Sequence, residues 1–245
     1  MIDFFHTILY TPIYNLLVFL TGVLPGGDLG LAVVIVTIVV KLVVMPFSLA
    51  AIRTQRAMKA IEPELLALKE QHKDDKEAQA KETFALYRKY RINPFASFFT
   101  LLIQLPILLC LYWVFRTEHL PAADPALLYS FVHLPAVIST SFLGLFPVAG
   151  KSLALALVAG VTQFFQAKFA IPTPPPSTSE KPSMQEELGR AMAMQARYVL
   201  PFVIALVAYA SGAIALYFIT SNAIAVMQEL FVRRTHKPLS AAEEK

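Results

Sequence analysis

The 245-residue chain has a single cysteine, Cys110, and it lies inside an apolar run, which excludes a disulfide framework and a Cys-rich metal site. Charge is scarce too. Only 16% of residues are charged against 56% hydrophobic, and the mean hydropathy of +0.58 is too high for a soluble domain of this size. Met1 to Pro25 contains no Lys or Arg, so the basic start of a secretory signal is missing and a cleaved leader is not expected. The five histidines are scattered, with no H-E-x-x-H, no Gly-x-Ser-x-Gly elbow and no paired carboxylates inside apolar runs. Proteolytic or ion-pumping chemistry therefore has no visible residues, and the chain is expected to be no enzyme and to need no cofactor. Gly144 to Ser152 has five spacers where a phosphate loop needs four and no strand before it, so a nucleotide partner is not expected either.

What the chain does have is apolar runs of membrane-spanning length, and it reads as an all-α integral membrane protein. The first clear run, Gly30 to Ala51, carries one charge, Lys41, which at ~1.5 Å per residue lies roughly 15 Å from either end. A lysine stem reaches only ~6 Å, so it cannot snorkel to a headgroup from there. Placing a charge at that depth costs ~2.5 to 3.5 kcal/mol unless it meets water or a partner. No Asp or Glu lies well inside an apolar run, which favours a wet cavity lined in part by Lys41 over a lysine paired inside a bundle. Thr37, one turn earlier on the same face, gives the cation a polar neighbour.

Charge sets the expected topology. Residues 1–27 are apolar from Phe4 to Leu24 but broken by His6, Thr7, Tyr10, Pro12, Tyr14 and Asn15, a segment that could span but reads more as an interfacial amphipathic helix. The first span, 28–51, has Asp28 before it and Arg53, Arg56 and Lys59 after it, so it runs from outside to cytoplasm. Residues 52–93 read as a cytoplasmic helical hairpin, its first helix opening at Glu62-Pro63-Glu64 and its turn at Lys73-Asp74-Asp75. Asn93-Pro94 opens the second span, 94–116, interrupted by Gln104 and Pro106. An ordered outer loop, 117–150, leads to a third span, 151–170, and a cytoplasmic loop, 171–195, that contains a Pro-rich linker. The long apolar stretch that follows has basic flanks on both sides, so it must cross an even number of times. It divides into spans 196–211 and 212–232, turning near Ser211-Gly212, before a cytoplasmic tail, 233–245. The result is five transmembrane helices with the N-terminus outside and the C-terminus in the cytoplasm. Apart from Lys41 inside the membrane and Arg116 and Lys151 outside, the remaining 18 of the 21 basic residues fall on the cytoplasmic side or its border.

Polar groups recur at membrane depth: Thr37 and Lys41, Gln104, Gln163, Thr220, Ser221 and Asn222, and Gln228. Each alone is more often glue between helices. Together with the cation they suggest a hydrated groove.

Asn93-Pro94, Leu101-Leu102-Ile103-Gln104-Leu105-Pro106-Ile107 and Leu111-Tyr112, with Ser211-Gly212, Leu216-Tyr217 and Ser221-Asn222 later, resemble the YidC/Oxa/Alb family of membrane protein insertases. The motifs fall in order from about Leu24 to Arg234 and are similar to the short form without a large outer domain. Family members usually carry arginine where this chain has Lys41, which keeps the charge but loses the planar five-donor fork. The resemblance implies a multi-pass protein of the bacterial plasma (inner) membrane whose groove, open to cytoplasm and lipid, receives segments of nascent membrane proteins. Its implied groove residues are Lys41, Thr37, Gln104, Gln163, Tyr217, Ser221, Asn222 and Gln228. The implied partners are nascent membrane proteins and the lipid bilayer, with the Sec translocon and the ribosome meeting the hairpin. The rival expectation is a small-solute transporter or channel using the same polar interior, against which the halves show no inverted repeat.

Overall fold

The computed structural model describes residues 6–73, 75–90, 92–93, 106–107, 109–110, 112–114, 124–170 and 184–235. Expectations placed on Gln104 and most of 94–123, on the Pro-rich linker 171–183 and on the tail beyond 235 lie outside those residues. The described chain is helical almost throughout, the all-α class expected. Five of its helices are long and apolar enough to cross a membrane: His6–Val23, Leu29–Ala60, Leu153–Ala170, Arg190–Tyr209 and Gly212–Thr235. Their number equals the expected one, but the membership differs. The segment 94–116 is mostly outside the described residues, and the N-terminal segment read as interfacial qualifies by length and composition.

The chain divides into two compact units, Met1–Val43 with Leu105–Met227 and Val44–Gln104 with Gln228–Lys245. The first unit opens with a π turn, His6–Tyr10, running into α1, Thr11–Val23. A second π turn, Gln195–Val199, joins α6, Met184–Met194, to α7, Leu200–Tyr209. Each π turn ends directly before a helix with proline in its first two positions, Pro12 and Pro201. A proline lacks the N–H and collides with the carbonyl four residues back, and widening the preceding turn lets the chain continue without a break. Between them run the start of α2, Leu29–Ala60, and α5, Leu153–Ala170. α5 packs along α7, and its Leu153, Leu157, Val161 and Phe165, spaced four apart, are exposed as a stripe. The last helix, α8, Gly212–Thr235, is the opposite case, since every residue from Ser211 to Phe218 is buried. Two turns sealed on all sides mark the start of α8 as core, while its later residues, such as Met227 and Phe231, are exposed.

The loop 124–152 ties the ends of these helices together. Asn15 on α1, buried, donates to the Leu127 carbonyl at 2.9 Å and accepts from the Tyr129 amide at 2.7 Å, and the Tyr14 hydroxyl accepts from the Asp124 amide. Asp28 caps α2 by accepting from the Leu31 amide at 2.9 Å, while its other oxygen accepts from the Leu143 amide at 2.7 Å. The loop carries a small hairpin of β1, Ser141–Phe142, and β2, Phe146–Pro147, paired antiparallel. It presses so closely on the first turns of α2 and α8 that a Cβ at Gly30 would collide with Phe142 and one at Gly212 with the Pro147 carbonyl. These two-residue strands owe their order to that anchoring and not to strand propensity.

The second unit contains the rest of α2, the helices α3, Glu62–Gln71, and α4, Lys76–Lys89, and the end of α8. α2 runs on to Ala60, nine residues past the apolar stretch that ends at Ala51, because charged residues such as Arg53 and Arg56 end a hydrophobic run without ending a helix. α3 and α4 form a hairpin closed by side chains. Asp75 caps α4 by accepting from the Glu77 and Ala78 amides, Gln79 donates to the Lys69 carbonyl, and the Tyr90 hydroxyl donates to Glu64 at 2.6 Å. α2 and α8 are joined here by charge. The buried Glu229 accepts from Arg56 at 2.7 Å and from Arg233 at 3.2 Å.

Candidate functional site

Most of the polar residues singled out in the sequence fall on three helices of the first unit, and the helix ends fix their distance along them. The Leu29 amide donates to the Ser139 carbonyl at 3.1 Å, the Gly212 amide to the Gly150 carbonyl at 2.9 Å and the Ala213 amide to the Val148 carbonyl at 2.9 Å. α5 leaves the same loop three residues after Gly150, with Ser152 as its cap. α2, α5 and α8 therefore start from one platform, and distance along each helix is a measure of depth. At ~1.5 Å per residue, Thr37 and Lys41 lie about 12 and 18 Å down α2, Thr162 and Gln163 about 14 and 15 Å down α5, and Ser221 and Asn222 about 14 and 15 Å down α8. Six polar side chains thus lie at similar distances, about 12 to 18 Å, along their helices from that platform, and form a layer in that sense.

The layer is partly self-satisfied. Thr37, buried, donates to the Val33 carbonyl at 2.7 Å, and Thr162 donates to the Ala159 carbonyl at 2.9 Å. Such back-bonding lets a hydroxyl sit inside a helix without a second partner. Gln163, buried, donates to Gln166 at 3.0 Å. The Asn222 amide on α8 donates across to the Thr162 hydroxyl on α5 at 3.3 Å. Lys41 is half-buried. The Tyr217 hydroxyl, about 8 Å down α8, makes no well-formed hydrogen bond among the described residues, with Ser221 one turn on approaching it only loosely. Sealed from water without a partner, such a hydroxyl costs about 1 to 3 kcal/mol, and a water molecule in the layer removes that cost.

Of the eight sequence candidates, Lys41, Thr37, Gln163, Tyr217, Ser221 and Asn222 belong to this unit, Gln228 belongs to the second unit and Gln104 is outside the described residues. Gln228 is buried with its amide nitrogen lacking a partner among the described residues. Sequence inspection missed Thr162, the partner of Asn222, although it stands beside Gln163. It also missed Asp28 as a cap, which Gly-Gly-Asp ahead of an apolar run signals. Glu229 escaped notice as a buried acid, although Arg233 at i+4 marks it as half of an ion pair.

The description "60Kd inner membrane protein" names the family model that matches residues 20–240. A relative named membrane protein insertase YidC 1, from Halalkalibacterium halodurans, is 30% identical over 84% of this chain and 70% of its own length. YidC of Clostridium tetani is 26% identical over 90% of this chain and 88% of its own length. YidC of Bradyrhizobium diazoefficiens is 32% identical over 85% of this chain, which spans only 33% of that longer relative. With the family model covering nearly all of the chain and five helices long enough to cross, the chain, which is similar to YidC insertases over most of its own length, belongs to the 60Kd inner membrane protein family and is a multi-pass protein of the bacterial inner membrane.

Proposed function

We propose that this chain is a membrane protein insertase and chaperone that works through a hydrated, positively charged groove open to the cytoplasm. The observation that supports the groove is the similar distance of Thr37, Lys41, Thr162, Gln163, Ser221 and Asn222 along their helices, with the buried Tyr217 hydroxyl, which makes no well-formed hydrogen bond among the described residues, one turn before Ser221. Water reaching that layer from the cytoplasmic side leaves about 15 Å of the ~30 Å apolar barrier for a client's polar tail to cross. Lys41 draws acidic groups of that tail into the layer, and Thr37, Ser221 and Asn222 hold the water around them.

Energetics favour a passive device. An acidic residue at the bilayer centre costs about 2.5 to 3.5 kcal/mol, whereas burying some twenty Leu, Ile, Val or Phe residues of a client helix gains roughly 6 to 12 kcal/mol. A tail with one or two acids is therefore pulled through by its own helix once the barrier is thinned, with no fuel and no bond-making step. By their excess of basic residues, the hairpin of α3 and α4 and the C-terminal end are read as cytoplasmic, and the loop 124–152, poor in them, as outer. The hairpin then meets clients first, and the ribosome and the Sec translocon are the partners its charge suits.

The test is insertion of a short client with an acidic tail into liposomes that contain only this protein. Insertion above that of empty liposomes, lowered by Lys41→Ala and retained by Lys41→Arg, is the expected result. No insertion, together with flux of a small solute through the same vesicles, contradicts the proposal and favours a transporter.

A further inference from the structure

The loop that ties the helix ends together has a second face, and it is apolar. At the tip of the β1–β2 hairpin Leu143 is 60% and Leu145 74% exposed, and earlier in the same loop Phe131 is 70% and Val137 67% exposed. From Leu134 to Gly150 there is no ionisable residue. The backbone of the tip makes these side chains harder to dismiss. Leu145 donates to the Phe142 carbonyl, closing a tight turn whose central residues, Leu143 and Gly144, have φ of 51° and 72°. Both φ values are positive, the geometry in which a water-facing hairpin usually carries Asn-Gly or Asp-Gly. A leucine there is strained, and it gains nothing from water.

The position of the hairpin says what meets that tip. Phe142 and Pro147 lie against the first turns of α2 and α8, so the hairpin stands beside the helix ends and not above them. The same end carries Lys151 and Tyr209, with the ammonium 5.7 Å from the ring centroid. Lysine and tyrosine are the side chains that settle at headgroup level. The exposed stripe of α5 begins two residues beyond Lys151, at Leu153, so the apolar surface of the loop continues into a membrane-facing one.

We infer that the hairpin tip, Leu143 to Leu145, with Phe131 and Val137, inserts into the acyl chains of the adjacent leaflet, making the loop a shallow membrane anchor. Rigid anchoring through Asp28 and Asn15 holds the tip at one depth, and lipid in place of water around Leu143 offsets the strain of its backbone. The inference is independent of whether the chain inserts clients.

The experiment uses the full chain in phosphatidylcholine–phosphatidylglycerol vesicles, with Leu145→Cys or Val137→Cys carrying an environment-sensitive fluorophore. Wild type, whose one cysteine is buried, is the blank. Strong quenching by lipids brominated near the glycerol, weak quenching by lipids brominated near the chain ends, and protection from aqueous iodide are expected at both sites. A label at Lys73→Cys in the exposed hairpin turn should show the reverse. Adding Leu143→Asn, a residue that suits the turn, should shift the Leu145→Cys label towards water without lowering the thermal midpoint in detergent. Iodide quenching equal to that of the Lys73→Cys label overturns the inference, as does protection that vanishes when protein is diluted in lipid, which would mean contact with a second copy.

Discussion

Asp28→Ala removes one buried carboxylate that does two jobs, and its cost can be worked from the contacts. The cap to the Leu31 amide at 2.9 Å is lost, typically ~1 kcal/mol. The Leu143 amide loses its 2.7 Å partner, which for a charged acceptor and a half-buried donor adds about 1 to 3 kcal/mol. The sum is roughly 2 to 4 kcal/mol, and at about 2 to 4 °C per kcal/mol for a chain of this length the midpoint should fall by about 4 to 16 °C. Cys110, buried and the only cysteine, supplies the assay, since a thiol-reactive dye reports its exposure as detergent-solubilised protein is heated. Asp28→Asn should fall between wild type and Asp28→Ala, because it keeps one acceptor but turns an NH2 towards one of the two amides. A midpoint for Asp28→Ala within about 1 °C of wild type would refute the claim that this side chain holds α2 to the loop.

Further outcomes follow from the same contacts. Glu229→Gln should destabilise by about 1 to 3 kcal/mol in the same assay, less than for a fully dry pair because both arginines are partly exposed, and combining it with Arg56→Met should cost less than the two separately. Gln228→Leu should leave the stability unchanged or raise it by about 1 kcal/mol, because it removes a buried amide nitrogen without a partner among the described residues. Tyr90 donates to Glu64, and this hydrogen bond, with the carboxylate's charge, raises the phenol above its usual value of 10.0. Its contribution is thus fully present below pH 10 and lost as the pH climbs through the raised value, so Tyr90→Phe should speed proteolysis between α3 and α4 at neutral pH and match wild type at strongly alkaline pH.

Hydropathy made four of the five spanning helices legible but not His6–Val23, whose polar interruptions read as interfacial, and the polar residues were legible as a set of residue types. Their common depth was not. It depends on where each helix starts, and the starts are fixed by bonds such as Leu29 to Ser139 and Gly212 to Gly150, between residues far apart in sequence. Asn15 looked like an interruption of an apolar run, yet its partners, Leu127 and Tyr129, lie more than a hundred residues away. The β1–β2 hairpin left little trace, because two-residue strands carry no period and a Leu-Gly turn lacks the usual Asn or Asp. The extension of α2 to Ala60 was hidden for the opposite reason, since hydropathy marks the end of a span and not the end of a helix.

The most direct measurement is chemical. With single cysteines in place of Ser221 and Asn222, a membrane-impermeant thiol reagent is added to the cytoplasmic face of oriented membranes, and labelling is compared with Phe202→Cys on the exposed, lipid-facing side of α7. Water in the layer predicts labelling at positions 221 and 222 and none at 202; three unlabelled sites would mean that the polar residues on α2, α5 and α8 are dry packing and that no groove reaches them.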